Sequence, residues 1–165
     1  MVSPSSPTAS PLFLREDEVR RGIELLHFGQ AHLIATLDDQ LAALGLGRAH
    51  HRALYFIARQ PDLSISTLLR LLAITKQSLG RVLDELIEKG LVEAQPGTRD
   101  RRQKLLRLTA EGRAVEGALF ATIRERMASA YAQAGQGSVT GFWRVLEGLV
   151  DPQDRGMIAA LQIPR

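Results

Sequence analysis

Apolar residues recur along the chain in two rhythms, one helical and one alternating. Over residues 15–43, Val19, Ile23, Leu26, Leu33, Leu37 and Leu41, with Leu44 just beyond, fall at intervals of three, four or seven. That spacing predicts one long amphipathic helix. Its stripe is longer than a small core requires, so it predicts packing against another helix or another chain. Gly45-Leu46-Gly47 closes it, because glycine accepts the left-handed conformation at a helix end. A second helix is predicted over 48–59, stopping before Pro61. Residues 63–65 suit a short strand. Ser66 reads as the N-cap of a short helix over 67–72, with Leu68, Leu69, Leu71 and Leu72 available for burial. After a tight turn at Ala73-Ile74, Thr75 reads as the N-cap of a helix running to about Lys89, with Gly90 at its end.

The helix over 76–89 is strongly two-faced. Leu79, Val82, Leu83, Leu86 and Ile87 share one side. Lys76, Gln77, Gly80, Arg81 and Asp84 take the other. Two helices joined by so short a turn form a helix-turn-helix. The rhythm then changes: 91–95 (LVEAQ) and 104–109 (KLLRLT) read as strands, and the Pro-Gly of PGTRDRR marks the turn between them. A hairpin directly after a helix-turn-helix defines a winged helix. Thr109 reads as the cap of a helix over 110–133, GQGS at 135–138 breaks it, and a last helix covers 139–150, resuming to Leu161 after Asp151-Pro152. The expected class is therefore mainly α with a small β-hairpin wing. Residues 1–14, rich in Ser and Pro, are expected to form a flexible tail.

Composition narrows the function. Of the 165 residues 45% are apolar, enough for a folded core. No apolar run approaches the ~18 residues of a membrane span. The chain has no cysteine, which excludes disulfides, thiolate metal sites and thiol redox sensing. The first residues lack the charged and apolar regions of a signal peptide, so a cytoplasmic location is expected. Net charge is only +3, yet the wing segment alone sets Arg99, Arg101, Arg102, Lys104 and Arg107 against the single acid Asp100. Arginine dominates there, and its planar fork suits phosphate or guanine better than lysine does.

The stretch ITKQSLGRVLDELIEKGLV (74–92) followed by DRRQKLLRLTAEG (100–112) resembles the MarR family of winged-helix transcription regulators. The matching residues are Leu86, Gly90, Leu91, Val92, Asp100, Arg102, Leu108, Thr109 and Gly112, and the helix order agrees over about 15–161. The chain departs from the family in two places. Ala94 and Gln95 stand where many members are basic, and Ala73 stands where the turn often has Gly. The resemblance implies one domain over 15–165, in which 48–112 forms the winged helix and 15–47 with 113–165 supply dimerisation helices. It also implies a homodimer on double-stranded DNA. Small aromatic or phenolic ligands often bind between the dimerising and DNA-binding parts of the family, so a small-molecule effector is an expected partner of unspecified identity.

The DNA-binding residues expected are Ser66, Thr75, Lys76, Gln77, Ser78, Arg81, Arg99, Asp100, Arg101, Arg102 and Lys104. Lys76, Gln77, Ser78 and Arg81 begin the second helix of the helix-turn-helix, where Gln suits adenine and Arg suits guanine in the major groove. The resemblance sends Arg102 into the minor groove with Asp100 holding its guanidinium. A narrow minor groove concentrates negative potential and attracts arginine. Arg99, Arg101 and Lys104 supply phosphate attraction, while Arg107 alternates onto a strand face and suits a structural ion pair. The plainer readings are a solvated charged face and a turn-stabilising ion pair. The histidines do not suggest a metal: His27 and His32 are five apart on one helix, and His50 and His51 diverge. They read as packing residues or as part of a ligand pocket near the first two helices, and Phe142 and Trp143 read as dimer packing. No nucleophile–base grouping, carboxylate pair or phosphate loop suggests an enzyme, and no cofactor is expected. The alternative to a DNA-binding regulator is a winged-helix module that binds protein.

Overall fold

A computed structural model describes residues 15–97 and 101–162. They fall into two compact units that meet in sequence between Thr36 and Leu37. The first unit contributes α1 (Glu16–Ala35). Three acids, Glu16, Asp17 and Glu18, stand in its first turn, where they complement the helix dipole.

The second unit holds α2 (Asp38–Ala43), α3 (Arg48–Arg59), β1 (Leu63–Ser64), α4 (Ile65–Leu72), α5 (Lys76–Glu88), β2 (Val92–Pro96), β3 (Lys104–Leu108), α6 (Ala110–Ala134), α7 (Gln136–Leu149) and α8 (Arg155–Gln162). The single helix expected over 15–43 is thus two. Thr36 turns its hydroxyl back onto the Leu33 carbonyl at 2.6 Å, a bond that competes with helix propagation, and Asp38 and Asp39 then favour a fresh N-terminus. The apolar spacing runs through this break unaltered, because Leu37 is itself fully buried.

Glycine ends two helices as expected. At Gly45 (φ +62°) and Gly90 (φ +68°) the chain enters the left-handed region. Leu46 N–H then reaches the Leu41 carbonyl at 2.8 Å, and Leu91 N–H reaches that of Leu86 at 2.9 Å. These are Schellman closures. At the turn after α4 the same conformation falls on a non-glycine, Ala73, at φ +49°. An L-residue held there costs roughly 1–2 kcal/mol.

The expected hairpin gains a third strand: the antiparallel sheet runs β1-β3-β2, with Leu63 opposite Leu106, Val92 opposite Leu108 and Pro96 opposite Lys104. Along β3 Leu106 and Leu108 are buried on one face and Arg107 between them is exposed on the other, while Lys104, on the leucines' face, is exposed at the strand's open end. Helix α3 is the centre of the core, packing against α4, α5, α6 and β3. Its Ala53, Leu54 and Ile57 are buried with Leu68 and Leu72 of α4, Leu79, Val82, Leu83 and Leu86 of α5, and Leu119 of α6. Ile87, expected on the buried side of α5, is instead 42% exposed: it lies at the edge of the stripe, past the line through Leu79, Leu83 and Leu86. Helix α7 starts at Gln136, three residues before the expected 139, because Gly135 (φ +79°) alone makes the break. Among the described residues no helix is long and apolar enough to cross a membrane.

Candidate nucleic-acid interface

Helix α5 is anchored by its apolar side and presents the rest outward. Thr75 caps it: the hydroxyl accepts from Ser78 N–H at 3.2 Å and shares a bond with Ser78 Oγ at 2.8 Å. The Leu79 amide makes the first intrahelical bond, to the Thr75 carbonyl at 3.0 Å. The amides of Lys76 and Gln77 therefore lie ahead of the hydrogen-bonded ladder, at the positive end of the helix. Lys76, Gln77, Ser78 and Arg81 are all exposed around that end. No Cβ occupies the surface at Gly80, and one placed there would meet nothing within 4 Å.

The order of charges along α5 runs against helix stability. Its first turn has no acid and its last turn no base. Its acids, Asp84, Glu85 and Glu88, come late, after Lys76 and Arg81. A helix selected for stability alone places acids first, as α1 does, at a gain of about 0.3–1 kcal/mol per charge. Helix α5 forgoes that gain and concentrates positive potential where its amides point outward, an arrangement suited to an external anion.

The wing follows from the closure at Gly90. Beyond the Pro96–Lys104 pair, Gly97 N–H still bonds the Gln103 carbonyl at 2.8 Å. Arg101, Arg102 and Lys104 are exposed at this end of the sheet. Arg99 and Asp100, and with them the expected Asp100–Arg102 contact, lie outside the described residues. Arg107 belongs to the scaffold, as its alternation suggests. Its guanidinium grips Asp62 through two bonds, Nε to Oδ1 at 2.5 Å and Nη2 to Oδ2 at 2.8 Å, and the bonded carboxylate raises its already high pKa. This pair ties the loop after α3, where Asp62 sits at φ +65°, to the middle of the sheet.

Ser66 is not the cap of α4. That cap is Ser64, whose Oγ accepts from Thr67 N–H at 3.1 Å. Only Ser64 has the extended backbone a cap needs, while Ser66 already lies within the helix. Ser66 stays exposed, with its hydroxyl 3.0 Å from that of Ser64. Two residues that sequence reasoning did not connect with α5's orientation also bear on it: His50, read there as packing or ligand-pocket lining, and Lys89. His50 Nε2 lies 2.8 Å from Glu85 Oε2, and Lys89 Nζ lies 3.4 Å from the Leu44 carbonyl. Neither contact leaves a trace in local sequence, since the partners stand 35 and 45 positions apart.

A capped helix-turn-helix followed by a wing, with cations gathered at the reading helix's positive end and on the hairpin, defines a winged-helix protein of the nucleic-acid-binding kind. The MarR family profile matches residues 44–103. The HTH-type transcriptional regulator PetP of Rhodobacter capsulatus is 46% identical over 144 residues, covering 87% of each chain. The chain thus belongs to the MarR family of transcriptional regulators. Among solved structures it is similar to a MarR family transcriptional regulator from Silicibacter pomeroyi (26% identity, TM-score 0.68, 81% of this chain and 88% of that one). It is also similar to a Mycobacterium tuberculosis MarR family protein in complex with salicylic acid (29% identity, TM-score 0.56, 76% and 93%). Its role is regulation of transcription rather than catalysis.

Proposed function

We propose that the protein acts in the cytoplasm as a homodimer that binds a pseudo-palindromic operator in double-stranded DNA and answers to a small-molecule effector. Within that reading 48–112 is the DNA-binding part, and 15–47 with 113–165 dimerise. The observation that carries it is the reversed charge order of α5, with Lys76 and Arg81 crowding the end where the helix dipole is already positive. Lys76, Gln77, Ser78 and Arg81 face the major groove. Thr75 and Ser66 flank them at phosphate positions. Arg102 enters the minor groove with Asp100 beside it, and Arg99, Arg101 and Lys104 neutralise phosphates. Two such heads about 34–36 Å apart read an inverted repeat. The effector finds support in the relative that is complexed with salicylic acid.

Selection of bound sites from random duplex pools, followed by gel shifts across a salt series, tests the reading. A palindromic site bound with steep salt dependence is expected. Failure to retard any duplex in dilute buffer overturns it, and binding to a protein target indifferent to salt favours the protein-interaction alternative. On the selected site Arg102→Ala should weaken binding about ten-fold or more at fixed salt while leaving the dimer intact. An unchanged binding curve would remove Arg102 from the interface.

A further inference from the structure

We infer that His50 is a positioning residue for the DNA-reading helix: its ring bridges the first turn of α3 to Glu85 and, together with Lys89, sets the angle at which α5 presents Lys76, Gln77, Ser78 and Arg81. The inference rests on the DNA-binding reading given above and deepens it.

His50 is the third residue of α3. Its Nδ1 accepts the Gly47 amide at 3.0 Å, which places the ring proton on Nε2. Nε2 then donates to Glu85 Oε2 at 2.8 Å. At this helix position a Glu or Gln commonly reaches back to the cap amide. A Glu would accept that amide but could not donate onward to a second carboxylate. His50 does both, and its side chain is only 12% exposed, so the ring is held within the structure between the two helices.

The second tether lies one helical turn further along α5. Residues 85 and 89 share a face, and both reach the same short stretch of chain, 44–50. Lys89 Nζ donates to the Leu44 carbonyl at 3.4 Å. A Cβ on Gly45 would stand 3.2 Å from that ammonium, so the glycine also leaves it room.

The apolar side of α5 does not by itself fix the helix's orientation, because apolar burial is non-directional. Two polar bonds at its C-terminal half supply direction. From Glu85 back to Lys76 is about 13 Å at 1.5 Å per residue. A swing of about 10° about the tether would therefore move the reading end by about 2 Å, more than a directional hydrogen bond tolerates.

Three variants separate positioning from bulk stability. His50→Leu removes both ring bonds, Glu85→Ala removes only the partner on α5, and His50→Gln keeps one acceptor and one donor. Dissociation constants for the selected operator and for an unrelated duplex are measured at one ionic strength, at a temperature where every variant is folded. His50→Leu and Glu85→Ala should each lose about ten-fold in operator affinity with unrelated duplex binding unchanged, and His50→Gln should recover most of the loss. A residue that merely stabilises the fold would lower the melting temperature without moving that ratio. An unchanged ratio in Glu85→Ala, or a loss that Gln does not restore, overturns the inference. Should His50→Leu not fold, Glu85→Ala carries the same test. Hydrogen exchange at the α5 amides needs no DNA: it should quicken in Glu85→Ala and return to the wild-type rate in His50→Gln, and unaltered exchange overturns the tether itself. A wild-type protein that binds no duplex, with exchange behaving as expected, would instead locate the error in the DNA-binding reading.

Discussion

Gly112 marks a close approach of two backbones. A Cβ on it would stand 1.9 Å from the Leu91 carbonyl oxygen, an impossible contact with an atom that cannot swing aside. The Leu-Thr-x-x-Gly element that the sequence shares with its family thus has a mechanical reason: only glycine lets the first turn of α6 pass over the chain between α5 and β2. Gly112→Ala should destabilise the fold by about 1–3 kcal/mol or more, checked by urea denaturation. His51 shows the opposite case, a residue whose position no local pattern reveals. Its ring is 5% exposed, and among the described residues its Nδ1 has no hydrogen-bond partner. Burial, aided by the nearby Arg52 charge, holds its pKa below the ordinary histidine value, so the folded chain keeps the ring neutral. The unfolded chain takes up that proton near pH 6.5. It therefore binds more protons than the folded chain as pH falls, and the stability that His51 contributes is full above about pH 6.5 and lost below it. His51→Leu should lose less stability than wild type between about pH 7 and pH 5. At pH 8 it should be at least as stable, since an unpaired buried nitrogen is gone. Parallel profiles in denaturant melts at stepped pH would show that the ring is not held neutral.

Helix ends were the most legible elements, because their chemistry is local. Thr75 and Thr109 each precede a helix, and each accepts the amide three residues on, at 3.2 and 2.9 Å. What local chemistry cannot reveal is the choice between equivalent signals. Ser64 and Ser66 are the same residue two positions apart, and the β1–β3 pairing, set by distant Leu106, decides which one is extended and caps α4. The break at Thr36 is hidden for a related reason, since Leu33, Leu37 and Leu41 keep helical spacing across it. The two threonine caps also differ in consequence. Thr75→Ala should cost about 1 kcal/mol, the usual loss for a cap. The Thr109 hydroxyl in addition donates to the Gly90 carbonyl at 2.7 Å, linking the start of α6 to the closure of α5. Thr109→Ala should therefore cost about 1 kcal/mol more than Thr75→Ala, the net worth of a second hydrogen bond. Equal midpoints and slopes in guanidinium for the two variants would mean that the Gly90 bond contributes nothing.

At the scale of the molecule, the apolar residues that the fold does not bury point to what it joins. Helix α1 buries none of its residues, and Val19, Ile23, Leu25 and Phe28 are each about half exposed or more. On α7, Val145 and Leu149 are 64% and 68% exposed, with Phe142 and Trp143 beside them in sequence. Apolar faces of this extent are costly in water and ordinarily mark an interface. The sequence already carried half of this message in a stripe too long for one small core; it could not say which residues stay uncovered, because that depends on how much of the stripe the chain's own core consumes. Leu37 and Leu41 go to the core, while Val19 and Ile23 do not. In the proposed dimer these faces are covered by the second copy, and a charge placed among them would be buried without a partner. Val145→Glu should then weaken self-association about a hundred-fold or more, roughly 2.7 kcal/mol, read by sedimentation velocity over a dilution series. Val145 takes no part in the α3-centred core, so the winged helix should keep its fold. Operator affinity should fall with the dimer, because a lone subunit contacts one half-site and loses the effective concentration that couples the two. A variant that sediments as wild type does would exclude the α7 face from the interface and leave α1 as the face through which the copies meet.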